Sequence, residues 1–272
     1  MNSICAYPMY QMPELEHLIA AWWQGSRRHM LEQGLHVPEQ LAQVDNHYPH
    51  WRDKHLLLSQ TCGYPLTHDL QGQVQYVATQ GYNTPYSSGP NYCSLMLVRK
   101  DEGATDINAM RQTRVAFNGL DSQSGYHALC KLIAPLVANA QGQAFFSKVI
   151  EAGSHRRSLA MVAQGQADLC AVDCVTYTLL QHHAPAVVAD LRILTSTEST
   201  PGLPYITSLS RSPETLSKLR SGLMAAGQDP ALESIRDGLH MGPVVVLQGQ
   251  QPYQAILDLA QQASVLGYEQ LI

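Results

Sequence analysis

Apolar positions along the chain alternate between short continuous runs and helical spacing. Residues 4–7 are a short apolar start that predicts a strand. From residue 13 to 33, Leu15, Leu18, Ile19, Trp22 and Leu31 recur near the ~3.6-residue period, which predicts a helix stopped by Gly34. Leu56, Leu57 and Leu58 form a continuous apolar run consistent with a buried strand. Further strands are predicted at 74–79, 93–99 and 113–118. A Ser-rich turn and a helix at 125–138 follow. Residues 148–152 read as a strand, and Ser154 then caps a helix that ends at Gly165. Residues 168–173 read as a strand, 175–182 as a helix, and 191–195 and 205–209 as strands. Ser212-Pro213-Glu214 and Asp229-Pro230 place a capping residue ahead of a proline at the first helical position. A strand at 244–247 and a helix at 252–266, closed by Gly267, complete the pattern. Strands alternating with helices imply βαβ units, so the expected class is α/β, with mixed, mostly parallel sheets flanked by helices. Ligands of such sheets bind beyond the carboxyl ends of the strands, where helix N-termini converge.

Composition narrows the function classes. The 272 residues suffice for one large domain or two small ones. Hydrophobic residues make up 45% and charged residues 14%, which excludes a disordered chain. The net charge is -5, and the basic residues are scattered, with Arg27-Arg28 and Arg156-Arg157 the densest pairs. Nucleic-acid binding is therefore not expected. No apolar run reaches the ~18–20 residues of a membrane helix, so direct membrane insertion is not expected either. The six cysteines, at positions 5, 62, 93, 130, 170 and 174, show no disulfide framework and suggest a reducing compartment. The N-terminus shows neither a basic nor an apolar export region, so the expected location is cytoplasmic as encoded. A periplasmic location is the alternative for a chain whose signal has been removed.

The stretch 114–126 is the richest in chemistry. A strand leads through Asn118-Gly119 and Asp121-Ser122-Gln123-Ser124-Gly125 into a helix. Hydroxyls and free backbone N–H groups meet there at a positive helix end, an arrangement that suits a tetrahedral oxyanion. An ordinary Ser cap is the alternative. Gly153-Ser154-His155 is a second strand end leading into a helix and puts an imidazole at the same sheet edge. Asp173 closes a third strand, where it accepts from a ligand or caps the next helix. Tyr64 and Tyr92 flank strands and either pack or line a site. No nucleophile elbow, phosphate loop or Rossmann glycine triplet is present. Cys170 and Cys174, and His47, His50 and His55, lack metal-site spacing. No catalytic residue, metal or cofactor is expected.

A further set of segments runs in order: Tyr7-Pro8-Met9-Tyr10, residues 56–65, Tyr92-x-Ser94 with the strand to Arg99, and Asn118 to Tyr126. Gly153-Ser154-His155, Ala167 to Asp173 and Thr200-Pro-Gly-Leu-Pro204 follow. Together these segments resemble the phosphate, phosphite and phosphonate substrate-binding proteins of ABC transporters, the PhnD-like group with a type 2 periplasmic-binding fold. The resemblance implies two α/β lobes with the ligand held in a cleft that closes by hinge motion. Lobe 1 would comprise residues 1–92 and 202–272, and lobe 2 residues 93–201, with two crossing segments. The family's Ser-x-Ser-Gly anion cradle maps onto Ser122, Gln123, Ser124 and Gly125, where Gln123 stands at a position often held by Thr. The second-lobe His and acidic positions map onto His155 and Asp173, and the tyrosines onto Tyr64, Tyr92 and Tyr10. The implied function is hinge-closing capture of a phosphonate, phosphite or phosphate by a monomer, without catalysis. It would serve an ABC-transporter permease or act as a related sensor. The alternative of another class is an enzyme of the same fold acting on a small anionic metabolite, as in cofactor biosynthesis.

Overall fold

The computed structural model describes residues 3–137, 144–248, 251–266 and 271. In chain order its elements begin with β1 (Ile4–Cys5), α1 (Glu16–Glu32), α2 (His47–Trp51), β2 (Leu56–Gln60), α3 (Gly63–Thr67), β3 (Val74–Tyr82) and β4 (Asn91–Tyr92). They continue with β5 (Ser94–Arg99), β6 (Arg114–Phe117), α4 (Ala128–Val137), β7 (Lys148–Glu151), α5 (His155–Ala163), β8 (Leu169–Asp173) and α6 (Cys174–His183). The remainder are β9 (Leu191–Ser196), β10 (Thr200–Pro201), β11 (Pro204–Ser208), α7 (Pro213–Gln228), α8 (Glu233–Gly238), β12 (Met241–Val245) and α9 (Gln251–Val265). The chain forms two compact units, Met1–Asn91 with Pro201–Tyr253, and Tyr92–Thr200 with Gln254–Ile272.

The first unit is built on a sheet of order β1-β2-β11-β3-β12. β2 and β11 are buried at every position, the polar Ser59, Gln60, Thr207 and Ser208 included. Trp22 and Trp23 of α1, Trp51, Tyr205 and Tyr253 are almost fully buried and fill the core of this unit. α1 and α7 pack closely: a Cβ on Gly222 would stand 2.9 Å from Met30 Cγ, so only glycine admits this approach.

The second unit carries a sheet of order β7-β6-β8-β5-β9. Its core joins Met96, Val98, Val115, Phe117, Leu129, Ile133, Phe145, Leu169 and Ala171. Ala263 and Leu271, from the C-terminal segment, belong to the same core. The Leu271 N–H donates to Tyr126 Oη at 3.4 Å, and Lys131 bonds Gln262. The lobe 1 expected at 202–272 therefore ends at Tyr253, and the chain crosses between units three times rather than twice. The amphipathic spacing of α9 showed that it packs, but not against which sheet.

Two further expectations change. The sheets are mixed, but antiparallel pairs are not the minority: β5 and β11 each run antiparallel to both neighbours. These are the strands by which the chain enters each unit after a crossing, so no crossover helix dictates their direction. The strand expected at 244–247 runs instead from Met241 to Val245. Pro243 disguised its start, yet β12 is an edge strand with an irregular register, where proline is tolerated. The ends expected at Ala138 and Gly267 lie outside the described residues.

Candidate anion-binding site

β7, β6 and β8 are adjacent, parallel and end at one edge of the second sheet. Each passes the chain to a helix start, where backbone N–H groups have no helical partner. β6 leads to Ser122, β7 to Ser154 and β8 to Asp173, and all three are N-caps whose side chains accept a backbone N–H. Gly153, at φ +82°, makes the tight turn between β7 and its cap.

The first of these starts is unusual. Ser122 Oγ accepts the Gly125 N–H at 3.0 Å, while the Ser122 carbonyl takes the N–H groups of Tyr126 and His127, both at 3.1 Å. The bond to His127 spans five residues, so Gln123–His127 is a wide π-turn that runs into α4. Such turns recur at functional sites because they displace side chains from regular helical spacing. Ser122, Gln123 and Ser124 are all buried.

Side chains from the three starts meet. Ser124 Oγ lies 3.2 Å from His155 Nε2, and the same nitrogen lies 3.4 Å from Asp173 Oδ2. The other carboxylate oxygen, Asp173 Oδ1, accepts the Thr176 N–H at 2.8 Å and caps α6. Asp173 thus combines the two roles that sequence left as alternatives. Burial pushes the His155 pKa below its usual value, opposed by the Asp173 carboxylate and the Ala171 carbonyl. A neutral His155 that donates Nε2–H to Asp173 leaves the Ser124 hydroxyl able to donate elsewhere. Aimed donors and one carboxylate acceptor therefore share the edge.

Asn118, at the end of β6, was not singled out from sequence as a site residue. Its Oδ1 is buried without a hydrogen-bond partner among the described residues and occupies the space a Cβ on Gly125 would need, at 1.8 Å. The missing side chain of Gly125 makes room for this carboxamide. An Asn directly after a strand and seven residues before a helix-start glycine is the signal that could have found it.

Five predicted residues, Ser122, Gln123, Ser124, His155 and Asp173, thus share one edge of the second unit. Tyr92 is buried in β4, directly before Cys93, whose carbonyl accepts the Cys174 N–H next to Asp173. Tyr10 and Tyr64 belong to the first unit. Tyr10 packs edge-on against Tyr82 with ring centroids 5.4 Å apart. Tyr64 is the second residue of α3, four residues after β2, and stacks on His68 with ring centroids 3.7 Å apart.

The sequence profile of the ABC-transporter phosphonate periplasmic substrate-binding proteins matches residues 53–251. The chain belongs to this family. Its members are non-catalytic solute-binding components, which removes the enzyme alternative. Comparison with curated protein sequences finds no significant match. Solved structures of the same fold include PhnD1 from Prochlorococcus marinus in complex with methylphosphonate, with 14% identity and a TM-score of 0.75. That similarity covers 96% of this chain and 98% of PhnD1. XAC2383 from Xanthomonas citri, bound to ATP, is similar at 16% identity and a TM-score of 0.71, covering 97% of this chain and 98% of the other. A binding-protein component of a phosphonate ABC transporter from Pseudomonas aeruginosa is 14% identical, with a TM-score of 0.69 over 97% and 96% of the two chains. The α/β architecture expected from sequence is that of these two-lobed binding proteins.

Proposed function

We propose that the edge formed by Ser122, Gln123, Ser124, His155 and Asp173 binds a small phosphorus oxyanion, namely a phosphonate, phosphite or phosphate. The observation that carries the reading is the meeting of three helix starts, with Ser124 Oγ 3.2 Å from His155 and His155 3.4 Å from Asp173. Helix N-termini and aimed hydroxyls are donors that suit such an anion, and charge-assisted hydrogen bonds are roughly twice as strong as neutral ones. The ligands named for two structural neighbours, methylphosphonate and ATP, both carry phosphorus oxyanions and support the class. On this reading Tyr10, Tyr64 and Tyr92 supply the remaining contacts after hinge closure. The protein then delivers its ligand to the permease of an ABC importer. The periplasmic siting in the family description supports a periplasmic location over a cytoplasmic one. Fractionation of cells expressing the full natural gene product tests that part.

Calorimetric titration tests the binding reading. Protein unfolded and refolded to strip bound ligand is titrated with phosphate, phosphite, methylphosphonate and 2-aminoethylphosphonate, with sulfate and a dicarboxylate as controls. One-to-one binding of a phosphorus compound, lost in Ser122→Ala/Ser124→Ala, is the expected result. Silence across all four phosphorus compounds would refute the ligand class.

A further inference from the structure

Two cysteines stand beside the site without a part in it. Cys93 directly follows the crossing strand β4, and Cys174 directly follows Asp173. Ser94 faces Asp173 across the antiparallel β5–β8 pair, so Cys93 and Cys174 continue that register by one residue. The Cys174 N–H donates to the Cys93 carbonyl at 2.9 Å, which closes the ladder at this point. Directly opposed residues of a hydrogen-bonded antiparallel pair have Cα atoms about 5.5 Å apart and side chains on one face. A disulfide requires Cα atoms about 4.4–6.8 Å apart. The two thiols are also hydrogen-bonded to each other. We propose that Cys93 and Cys174 are an oxidisable dithiol that closes to an intramolecular disulfide with a small peroxide as oxidant.

The chemistry balances within the pair. The Cys93 thiolate attacks the O–O bond of hydrogen peroxide, forming a sulfenic acid and releasing one water after protonation. The Cys174 sulfur then attacks the sulfenic sulfur, the S–S bond forms, and a second water leaves. Two thiols and one peroxide give one disulfide and two waters. The Cys174 thiol, hydrogen-bonded to Cys93, pulls the Cys93 pKa below the usual thiol value, which makes Cys93 the attacking sulfur. Burial pushes Cys5 and Cys130 up to about 12 and raises Cys170 as well, so these three stay inert thiols at neutral pH. Cys93 and Cys174 are themselves buried, which favours a small peroxide over a bulky disulfide reagent. The cross-link would tie the residue after the crossing strand to the N-terminus of α6, the turn that presents Asp173.

The test uses the full chain, without ligand. Reduced protein carries six cysteines. Treatment with hydrogen peroxide should lower the titratable thiols to four, with a mass loss of two hydrogens, and dithiothreitol should reverse both. Fragmentation of the wild-type digest should join Cys93 to Cys174, Cys93→Ser and Cys174→Ser should each abolish the loss, and Cys62→Ser should retain it. Six thiols persisting under peroxide, or a cross-link joining any other pair, would overturn the proposal. Mapping of the wild-type protein decides the matter even where a variant fails to fold. Because no ligand enters, the result is independent of the oxyanion reading.

Discussion

Gly125→Ala perturbs the site with the fewest atoms. An alanine Cβ would stand 1.8 Å from Asn118 Oδ1, 2.8 Å from Asn118 Cγ and 3.1 Å from His155 Cε1. The carboxamide would have to retreat by more than an ångström, and His155 by a few tenths. Ala gains ~0.5–1 kcal/mol over Gly from helix propensity. Overpacking costs ~1–3 kcal/mol, which outweighs that gain, so the variant should lose ~1–2 kcal/mol of stability. Its affinity for methylphosphonate should fall by about tenfold or more, the loss of one hydrogen bond to a charged group. Thermal unfolding and calorimetric titration measure the two effects separately. The double variant Asn118→Ala/Gly125→Ala removes the obstructing carboxamide. It should recover stability with a coupling of about 1–2 kcal/mol, as contacting residues do. A Gly125→Ala protein that is as stable as wild type and binds unchanged would refute the reasoning. A double variant no more stable than Gly125→Ala would show that Asn118 is not the obstruction.

Three further outcomes follow from the same geometry. Ser122→Ala removes the acceptor of the Gly125 N–H and should cost ~1 kcal/mol in thermal unfolding; Ser124→Ala removes no cap and should weaken binding with little loss of stability. Asp173→Asn keeps a side-chain oxygen for the Thr176 N–H, so stability should hold while 2-aminoethylphosphonate affinity falls; equal affinity for every ligand tested would remove Asp173 from the recognition. The free His155 pKa lies below its ordinary value, and a bound oxyanion would raise it. Binding should then take up protons, and affinity should rise as pH falls from the bound pKa to the free one, then level off; titrations in buffers of different ionisation enthalpy read the uptake, and none in that window would contradict the assignment.

Much of the second unit was legible because most of its strands are short apolar runs and each cap follows a strand closely, Asp173 at the end of β8, Ser154 three residues after β7 and Ser122 five after β6. Ser122, Ser154 and Asp173 all occupy such places, and helix-start preference puts these residue types there. What pattern alone could not supply was strand adjacency. Nothing local states that β7, β6 and β8 lie side by side, and it is this order that brings His155 to both Ser124 and Asp173. The resemblance to a known family supplied the grouping that local spacing left open. Short elements were missed for the same physical reason. α2 and α3 have five residues each, too few to show a period, and β4 and β10 have two. The π-turn at Gln123–His127 was read as a Ser-rich turn followed by regular helix from Gly125, because its widening depends on one backbone bond, from His127 to Ser122, with no side-chain signature.

The presence of Asp173 constrains which anion the proposed site accepts. A second negative charge set ~4 Å from its carboxylate would meet repulsion of ~4 kcal/mol at an effective dielectric near ~20. That is nearly a thousandfold in affinity, at ~1.4 kcal/mol per factor of ten. The carboxylate is also buried and held by the Thr176 N–H, so it cannot swing into solvent to avoid the charge. A proton between the two oxygens changes the sign, because a P–OH or an ammonium then donates to Asp173 Oδ2 while Ser124 and the helix-start N–H groups hold the remaining oxygens. Ligand-free His155, its pKa lowered by burial, carries no charge to offset that repulsion, whereas a proton taken up by His155 on binding would relax it. A chain with net charge -5 can thus capture an anion by selecting one that brings a proton with it.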